Sequence, residues 1–148
     1  DAHRFIVYDE RDHLTCAVAN GRALTVFTDT LDQWTRRKIS QHDRSIGALS
    51  VDTVLRMPES IALRGMNVRW LAGGQSRLDT TTVRPIDLVI VGDDEWYDPE
   101  RINAWFQPAE GFVLAPTVSA KRRAFLRRWC VQADVPIHDV RLHGAYVR

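Results

Sequence analysis

The feature that most constrains this chain is a largely apolar run at residues 85–91, which stops at Gly92 and is followed directly by Asp93 and Asp94. A run of this kind predicts a buried strand, and the glycine permits a sharp turn after it. In open α/β sheets, ligands and catalytic groups gather beyond the carboxyl ends of such strands. The residues that follow this strand are therefore the first place to look for a site.

Residues 3–71 are rich in short strand patterns. Three alternating runs between residues 3 and 28 predict a β-meander, and Asn20-Gly21 predicts a hairpin between the second and third runs. A helix of roughly 12–15 residues is predicted after residues 28–30, whose side chains can cap it. Further elements are predicted as strands at 51–57, 60–63 and 67–71, with another hairpin among them, and as a loop at 72–84.

From residue 85 onward, strands and helices alternate. Helices are predicted near residues 99–106 and at residues 119–133, with Asp98 and Ser119 as their N-caps. The strands between them are predicted at 87–91, 111–115, 136–140 and 144–147. This alternation favours βαβ units, so the expected fold is a single α/β domain, residues 1–148, with a mixed β-sheet and packed helices.

Charge and hydropathy exclude several classes of protein. The net charge is +1, so any contact with nucleic acid must come from a local patch rather than from a global field. No window approaches the roughly 20 apolar residues of a transmembrane helix, and the amino terminus lacks the regions of a signal peptide. Because the sequence begins Asp1-Ala2-His3 without Met, we expect a soluble piece excised from a longer protein.

Metal and catalytic signatures are sparse. The five histidines show no HxH or HxxxH spacing, although a turn could bring His138 and His143 together. Four acidic residues after the central strand could bind a divalent cation or perform acid–base chemistry: Asp93, Asp94, Glu95 and Asp98. Capping of a turn and of the following helix is the favoured explanation. A small metal-dependent hydrolase or nuclease that uses Asp93, Asp94, His138 and His143 is one alternative.

The two cysteines and the paired glycines favour structural roles. Cys16 alternates with apolar neighbours in a predicted strand, and Cys130 lies on a predicted helix, so both are expected to be buried free thiols. A long-range disulfide between them is the alternative. Gly73-Gly74 follows a strand but lacks the spacing of phosphate-binding loops, which favours an ordinary loop.

The predicted helix at residues 119–133 carries a basic face. On a helical wheel its apolar residues share one side, with Arg122 turned toward it, and four basic residues are left mostly outside: Lys121, Arg123, Arg127 and Arg128. Guanidinium groups can hold phosphates, and Arg36 and Arg37 of the earlier helix could add a second patch. These six residues form the candidate DNA-binding set, whereas a solvated helix face is the simpler interpretation.

Six segments carry a family resemblance: FIVY at 5–8, LTVFTD at 24–29, VRWLAGG at 68–74, IDLVIV at 86–91, VPIH at 135–138 and GAYV at 144–147. They resemble the C-terminal soluble domain of ComEC-type competence proteins, which are membrane channels for DNA uptake that often carry a metallo-β-lactamase-like domain. The chain is most similar to the degenerate form found in Bacteroidetes-type members. The resemblance spans most of the chain and consists mainly of strand patterns.

The chain departs from that family at the metal ligands. Active metallo-β-lactamase-like nucleases carry an HxHxDH motif, and a His-His-Gly after the strand that corresponds to residues 88–91. This chain has no HxHxDH run, and Gly92-Asp93-Asp94 stands where those nucleases carry His-His-Gly. The resemblance therefore implies a truncated metallo-β-lactamase-like fold that has lost hydrolysis, with no catalytic residue and no cofactor.

The resemblance also implies a cellular role. It implies a non-catalytic domain of a competence-related DNA-uptake protein, with DNA and the transmembrane channel region of the parent protein as partners. The parent is expected in the cell membrane, with this domain on the extracytoplasmic side. A protein-interaction module that docks on the rest of its parent chain is a further alternative.

Overall fold

A computed structural model describes residues 3–10, 13–29, 32–58, 60–63, 65–71, 86–92, 98–100, 103 and 107–148. Within these residues, ten strands form two five-stranded sheets. Each sheet contains both parallel and antiparallel pairs. The predicted α/β class and mixed strand pairing are confirmed, and the strands are divided between two sheets.

The first sheet has the strand order β10-β1-β2-β3-β4. Its strands are β1 (His3–Val7), β2 (Thr15–Asn20), β3 (Ala23–Thr28), β4 (Ser50–Val54) and β10 (Tyr146–Val147). The predicted meander is confirmed, since β1, β2 and β3 pair antiparallel in sequence. Asn20 pairs with Ala23, which leaves a two-residue loop that begins with Gly21 at φ 59°. Glycine accepts this positive φ without strain.

Helix α1 (Gln33–Ile46) connects β3 to β4, which lie parallel. Its N-cap is Asp32 rather than one of residues 28–30, so the predicted cap is wrong. The Asp32 carboxylate accepts the Thr35 backbone N–H at 2.8 Å, which satisfies a donor that the first turn leaves unpaired. The helix ends at Gly47, whose left-handed φ of 64° closes the last turn.

The second sheet has the order β5-β6-β7-β8-β9, and its last four strands are parallel. Its strands are β5 (Ser60–Leu63), β6 (Met66–Leu71), β7 (Leu88–Val91), β8 (Gly111–Leu114) and β9 (Ile137–Asp139). The predicted hairpin before residue 72 is confirmed by the antiparallel β5–β6 pair. All four residues of β7 are buried, as expected of a central strand covered on both faces. The predicted loop at 72–84 lies outside the described residues.

Two helices belong to the carboxyl-terminal part. Helix α2 (Ala120–Ala133) has Ser119 as its N-cap, as predicted. Helix α3 (Val140–His143) begins where the predicted strand at 136–140 was expected to continue, so that strand ends one residue earlier. The cause is Asp139, whose carboxylate accepts the Arg141 backbone N–H at 3.1 Å and starts a helical turn.

The predicted helix near residues 99–106 lies mostly outside the described residues. Pro99, Glu100 and Asn103 have helical conformation. The Asp98 carboxylate accepts the Glu100 backbone N–H at 3.1 Å, which agrees with the capping role predicted for Asp98.

The two sheets pack face to face, and each carries a helix on its outer face. The central core joins residues of both sheets, and two of its large, fully buried side chains, Phe5 and Trp70, form an edge-to-face pair with ring centroids 5.5 Å apart. Ile39 of α1 packs on the outer face of the first sheet, and Leu126 of α2 packs on the outer face of the second. The order of layers is helix, sheet, sheet, helix.

Candidate functional site

The parallel strands β6 to β9 end at one edge of the second sheet, the edge at which the sequence predicts a site. Gly92 follows β7 and is buried. The Thr117 hydroxyl, which lies in the loop after β8, donates to the Gly92 carbonyl oxygen and ties the two loops together. Of the four residues in the predicted acidic cluster, Asp93, Asp94 and Glu95 lie outside the described residues.

Asp139 places a buried carboxylate at the end of β9. Its side chain has no exposed surface. Oδ1 accepts the Arg141 backbone N–H. Oδ2 lies 3.6 Å from Arg123 Nη1 and 3.5 Å from Arg127 Nε, which makes two ion pairs that are too long for hydrogen bonds. A buried charge requires such partners, because removing a carboxylate from water without a counter-ion costs several kcal/mol.

Arg123 does not lie on the exposed basic face where the sequence analysis placed it. The helical wheel placed Arg123 outside, but its exposed fraction is only 9%, so that prediction is wrong. Its Nε donates to the Val118 carbonyl oxygen at 3.2 Å, and its Nη1 faces Asp139. The wheel could not reveal this placement, because Asp139 comes from a strand beyond the helix. Arg123 is therefore not positioned to contact DNA directly.

The other basic residues of α2 remain accessible. Lys121 and Arg128 are exposed, as predicted. Arg127 is intermediate, since 39% of its side chain is exposed while its Nε is buried beside Asp139. Helix α2 contains five Lys and Arg residues and no Asp or Glu. Its outer face is therefore a local positive patch on a chain whose net charge is only +1.

The second basic patch lies elsewhere on the molecule. Arg36 and Arg37 are exposed on α1. Because α1 covers the outer face of the first sheet and α2 covers that of the second, the two patches lie on opposite outer layers. The six candidate DNA-binding residues therefore do not form one surface.

His138 and His143 are neighbours, as their spacing suggested. Their ring centroids are 5.4 Å apart, and a ring nitrogen of His138 lies 2.9 Å from the Gly144 carbonyl oxygen. Adjacent residues of a strand face opposite sides of a sheet, so His138 faces Tyr146 while Asp139 faces α2. Among the described residues, no three His, Cys, Asp or Glu side chains gather in a way that could hold a metal ion.

The cysteines have the predicted structural character. Cys16 and Cys130 are buried free thiols, which confirms the prediction. The Trp70 indole N–H points to the Cys16 sulfur at 3.5 Å. Burial raises the pKa of each thiol to about 12, so both stay protonated at neutral pH and neither is a nucleophile.

A polar contact between Tyr8, which follows β1, and His42 of α1 was not predicted from the sequence. The Tyr8 hydroxyl lies 2.6 Å from His42 Nδ1, and the two rings meet edge to face. Burial, and then the nearby Arg4 cation, lower the pKa of His42. Because 34 positions separate Tyr8 from His42, no local spacing could have revealed the pair.

Comparisons with known proteins give one result. The family model described as the ComEC C-terminal domain matches residues 5–148. Neither a curated protein nor a solved structure matches the chain. Among the described residues, no helix combines the length and the apolar character needed to cross a membrane.

Proposed function

The chain belongs to the family of ComEC C-terminal domains, and we propose that it is a non-catalytic domain that contacts DNA through the outer face of α2. Family membership supports a role related to competence and DNA uptake. The observation that carries the DNA contact is the helix itself, which has five basic side chains and no acidic one. A patch of this sign attracts phosphates and releases their counter-ions.

The geometry of α2 defines the patch. Lys121 and Arg128 are seven residues apart, so they lie about two turns apart along one side of the helix. Both are exposed, and Arg127 adds a partly exposed guanidinium beside Arg128. Arg123 lies inside the protein, where it and Arg127 both form ion pairs with the Asp139 carboxylate. The proposed DNA contacts are therefore Lys121, Arg127 and Arg128.

The proposal includes the loss of hydrolysis. The sequence has no HxHxDH run, which is the metal-ligand motif of active metallo-β-lactamase-like nucleases. A relative without that motif would keep the layered fold and handle DNA without cutting it. In this proposal the parent protein lies in the cell membrane, and the domain works on the extracytoplasmic side beside the channel region.

The proposal is tested by DNA binding with two matched charge removals. We expect Lys121→Ala/Arg128→Ala to weaken the binding of an oligonucleotide of about 20 nucleotides by roughly tenfold, and to lower the slope of log K against log salt by about 1–2. Arg36→Ala/Arg37→Ala removes the same charge from the opposite outer layer and is the control. Fluorescence anisotropy at several salt concentrations gives both quantities.

Two results would contradict the proposal. Absence of binding by the unchanged protein at low salt would remove the DNA contact. Cleavage of the oligonucleotide in the presence of Mg²⁺, Mn²⁺ or Zn²⁺ would instead favour the metal-dependent nuclease that uses Asp93, Asp94, His138 and His143.

One observation favours docking on another protein segment as a second candidate function. Strand β4 is the last strand in the order of its sheet, and four of its five residues are exposed. Leu49 and Leu55 flank it with exposed fractions of 77% and 66%. An accessible edge strand with exposed apolar side chains can pair with an added strand. The parent channel region is the partner that this candidate function would use.

A further inference from the structure

We propose that Arg127 is a preorganised fork for one backbone phosphate of nucleic acid, and that the buried Asp139 is the residue that positions it. This inference rests on the proposed function and assigns a specific contact within it. Lys121 and Arg128 would then supply diffuse charge, whereas Arg127 would supply a defined geometry.

The anchor of the fork is rigid. Asp139 is fully buried at the end of β9, and its backbone is held in the parallel β8–β9 pair. Its Oδ1 accepts the backbone N–H of Arg141, which restrains one oxygen of the carboxylate. Its Oδ2 is thereby directed toward α2. A carboxylate held on a strand end gives a more precise anchor than one on a loop.

The orientation of Arg127 follows from this anchor. Its Nε is buried 3.5 Å from Asp139 Oδ2, so the 39% of the side chain that is exposed belongs to its other atoms. A guanidinium whose Nε faces a buried carboxylate in an ion pair can still direct its two terminal nitrogens to a second ligand, because its five N–H donors form a planar fork. Two parallel donors of this kind match two oxygens of one phosphate.

The charge count favours an external anion. Arg123 occupies the inner side of the same carboxylate and donates through Nε to the Val118 carbonyl oxygen. Two guanidinium cations therefore share one carboxylate anion, which leaves one positive charge in excess. Arg123 is 9% exposed, so the excess charge meets solvent through Arg127. Arg128 lies next to it on the exposed side of the helix and reinforces the field.

The test separates fork geometry from charge. Arg127→Lys keeps the charge but removes the fork, and Arg128→Lys is the matched control on the neighbouring, unanchored position. With a thymidine oligonucleotide of about 20 nucleotides, we expect Arg127→Lys to weaken binding roughly five- to tenfold and Arg128→Lys to change it less than about twofold. The slope of log K against log salt concentration should be the same for both variants, since this slope reports the number of phosphates neutralised.

Asp139→Asn tests the positioning role. At a temperature where the variant is folded, we expect the affinity of Asp139→Asn to fall to that of Arg127→Lys, and the double variant to bind no more weakly than either single one. A purely structural effect would lower the thermal midpoint and leave the two affinity losses additive. If Asp139→Asn does not fold, the pair of lysine variants decides the question.

The outcomes distinguish this inference from the proposed function. Equal affinity of Arg127→Lys and the unchanged protein, with binding otherwise intact, overturns the fork and leaves the DNA contact of α2 in place. No binding of the oligonucleotide by the unchanged protein overturns both. Binding to phosphatidylglycerol vesicles that depends on Arg127, without binding of the oligonucleotide, overturns the nucleic-acid assignment in favour of a membrane surface.

Discussion

Among single residues, Tyr8, which directly follows β1, contacts His42 of α1 on the outer face of the first sheet. The hydroxyl lies 2.6 Å from Nδ1, and it can donate to that nitrogen when Nδ1 carries no proton. Burial and the Arg4 cation lower the pKa of His42, while Asp43 opposes them with a smaller effect. The folded protein therefore resists protonation of His42 more than the unfolded chain does.

This difference predicts a loss of stability in mild acid. Below the unfolded pKa of about 6.5, the unfolded chain binds a proton that the folded protein refuses, so the free energy of unfolding falls as pH decreases from 7 toward the lowered pKa of His42. We expect His42→Asn to remove this slope, since its amide oxygen can accept from Tyr8 and does not titrate. Urea unfolding at several pH values between 5 and 7.5 measures the slope.

The control for the pH experiment is His143→Asn, which removes an exposed histidine and should leave the slope in place. Asp32 does not interfere. The Thr35 backbone N–H is the main cause that lowers the pKa of Asp32, so its contribution is lost only below its usual value of 3.8. An unchanged slope in His42→Asn would contradict the role assigned to the Tyr8 contact.

At the scale of elements, the pairing of β8 with β9 depends on the small size of Gly111. Gly111 has φ 87°, and a Cβ built on it would lie 1.8 Å from the Pro136 carbonyl oxygen. The same oxygen accepts the Phe112 backbone N–H at 2.9 Å, so the backbones must approach closely for the strands to pair. Because β9 ends at Asp139, this contact also determines where the anchor of Arg127 lies.

We expect Gly111→Ala to destabilise the protein by about 3 kcal/mol or more, because it combines positive-φ strain with a clash against backbone that cannot rotate away. Gly65→Ala is the matched control, since Gly65 has φ 81° but open space at the Cβ position. Its cost should be about 1–2 kcal/mol from strain alone. Chemical denaturation of both variants provides the comparison, and equal losses would show that the Pro136 contact is unimportant.

At the scale of the whole molecule, the two sheets depend on a shared core. Phe5, Val7 and Cys16 of the first sheet meet Trp70 and Ile90 of the second in one buried cluster. Strand β10 crosses back to pair with β1, so the first and last described strands both belong to the first sheet. Neither sheet can keep its inner face out of water without the other. We therefore expect the chain to unfold as the single domain that its length predicts.

Trp70→Ala tests this cooperativity. Trp70 is fully buried between the sheets, and its truncation should cost about 3–5 kcal/mol. Far-ultraviolet circular dichroism and the exchange of amide protons in each sheet should shift together. Val131→Ala, which changes a residue with 76% exposure, should stay within about 0.5 kcal/mol of the unchanged protein. Separate midpoints for the two sheets in Trp70→Ala would contradict a single cooperative unit.

Local patterns in the sequence were enough to locate most elements. The β-meander, the hairpin before residue 72, the strand that ends at Gly92 and helix α2 with its Ser119 cap are all found where the pattern predicts them. Alternation, helical periodicity and capping depend on neighbouring residues, so they can be read without knowing the fold. The strand patterns also supported the resemblance to the ComEC family, which the family match confirms.

Local sequence patterns were sufficient to predict the α/β class, most of the elements and the presence of a basic helix. The folded structure was needed to establish that the strands form two sheets, that Arg36 and Arg37 lie on the opposite outer layer from α2, and that Arg123 turns inward to Asp139. The difference arises from the separation along the chain over which each kind of interaction acts. Period and capping act within a few residues, whereas the partner of a strand or of a buried charge is chosen by contacts between distant parts of the chain.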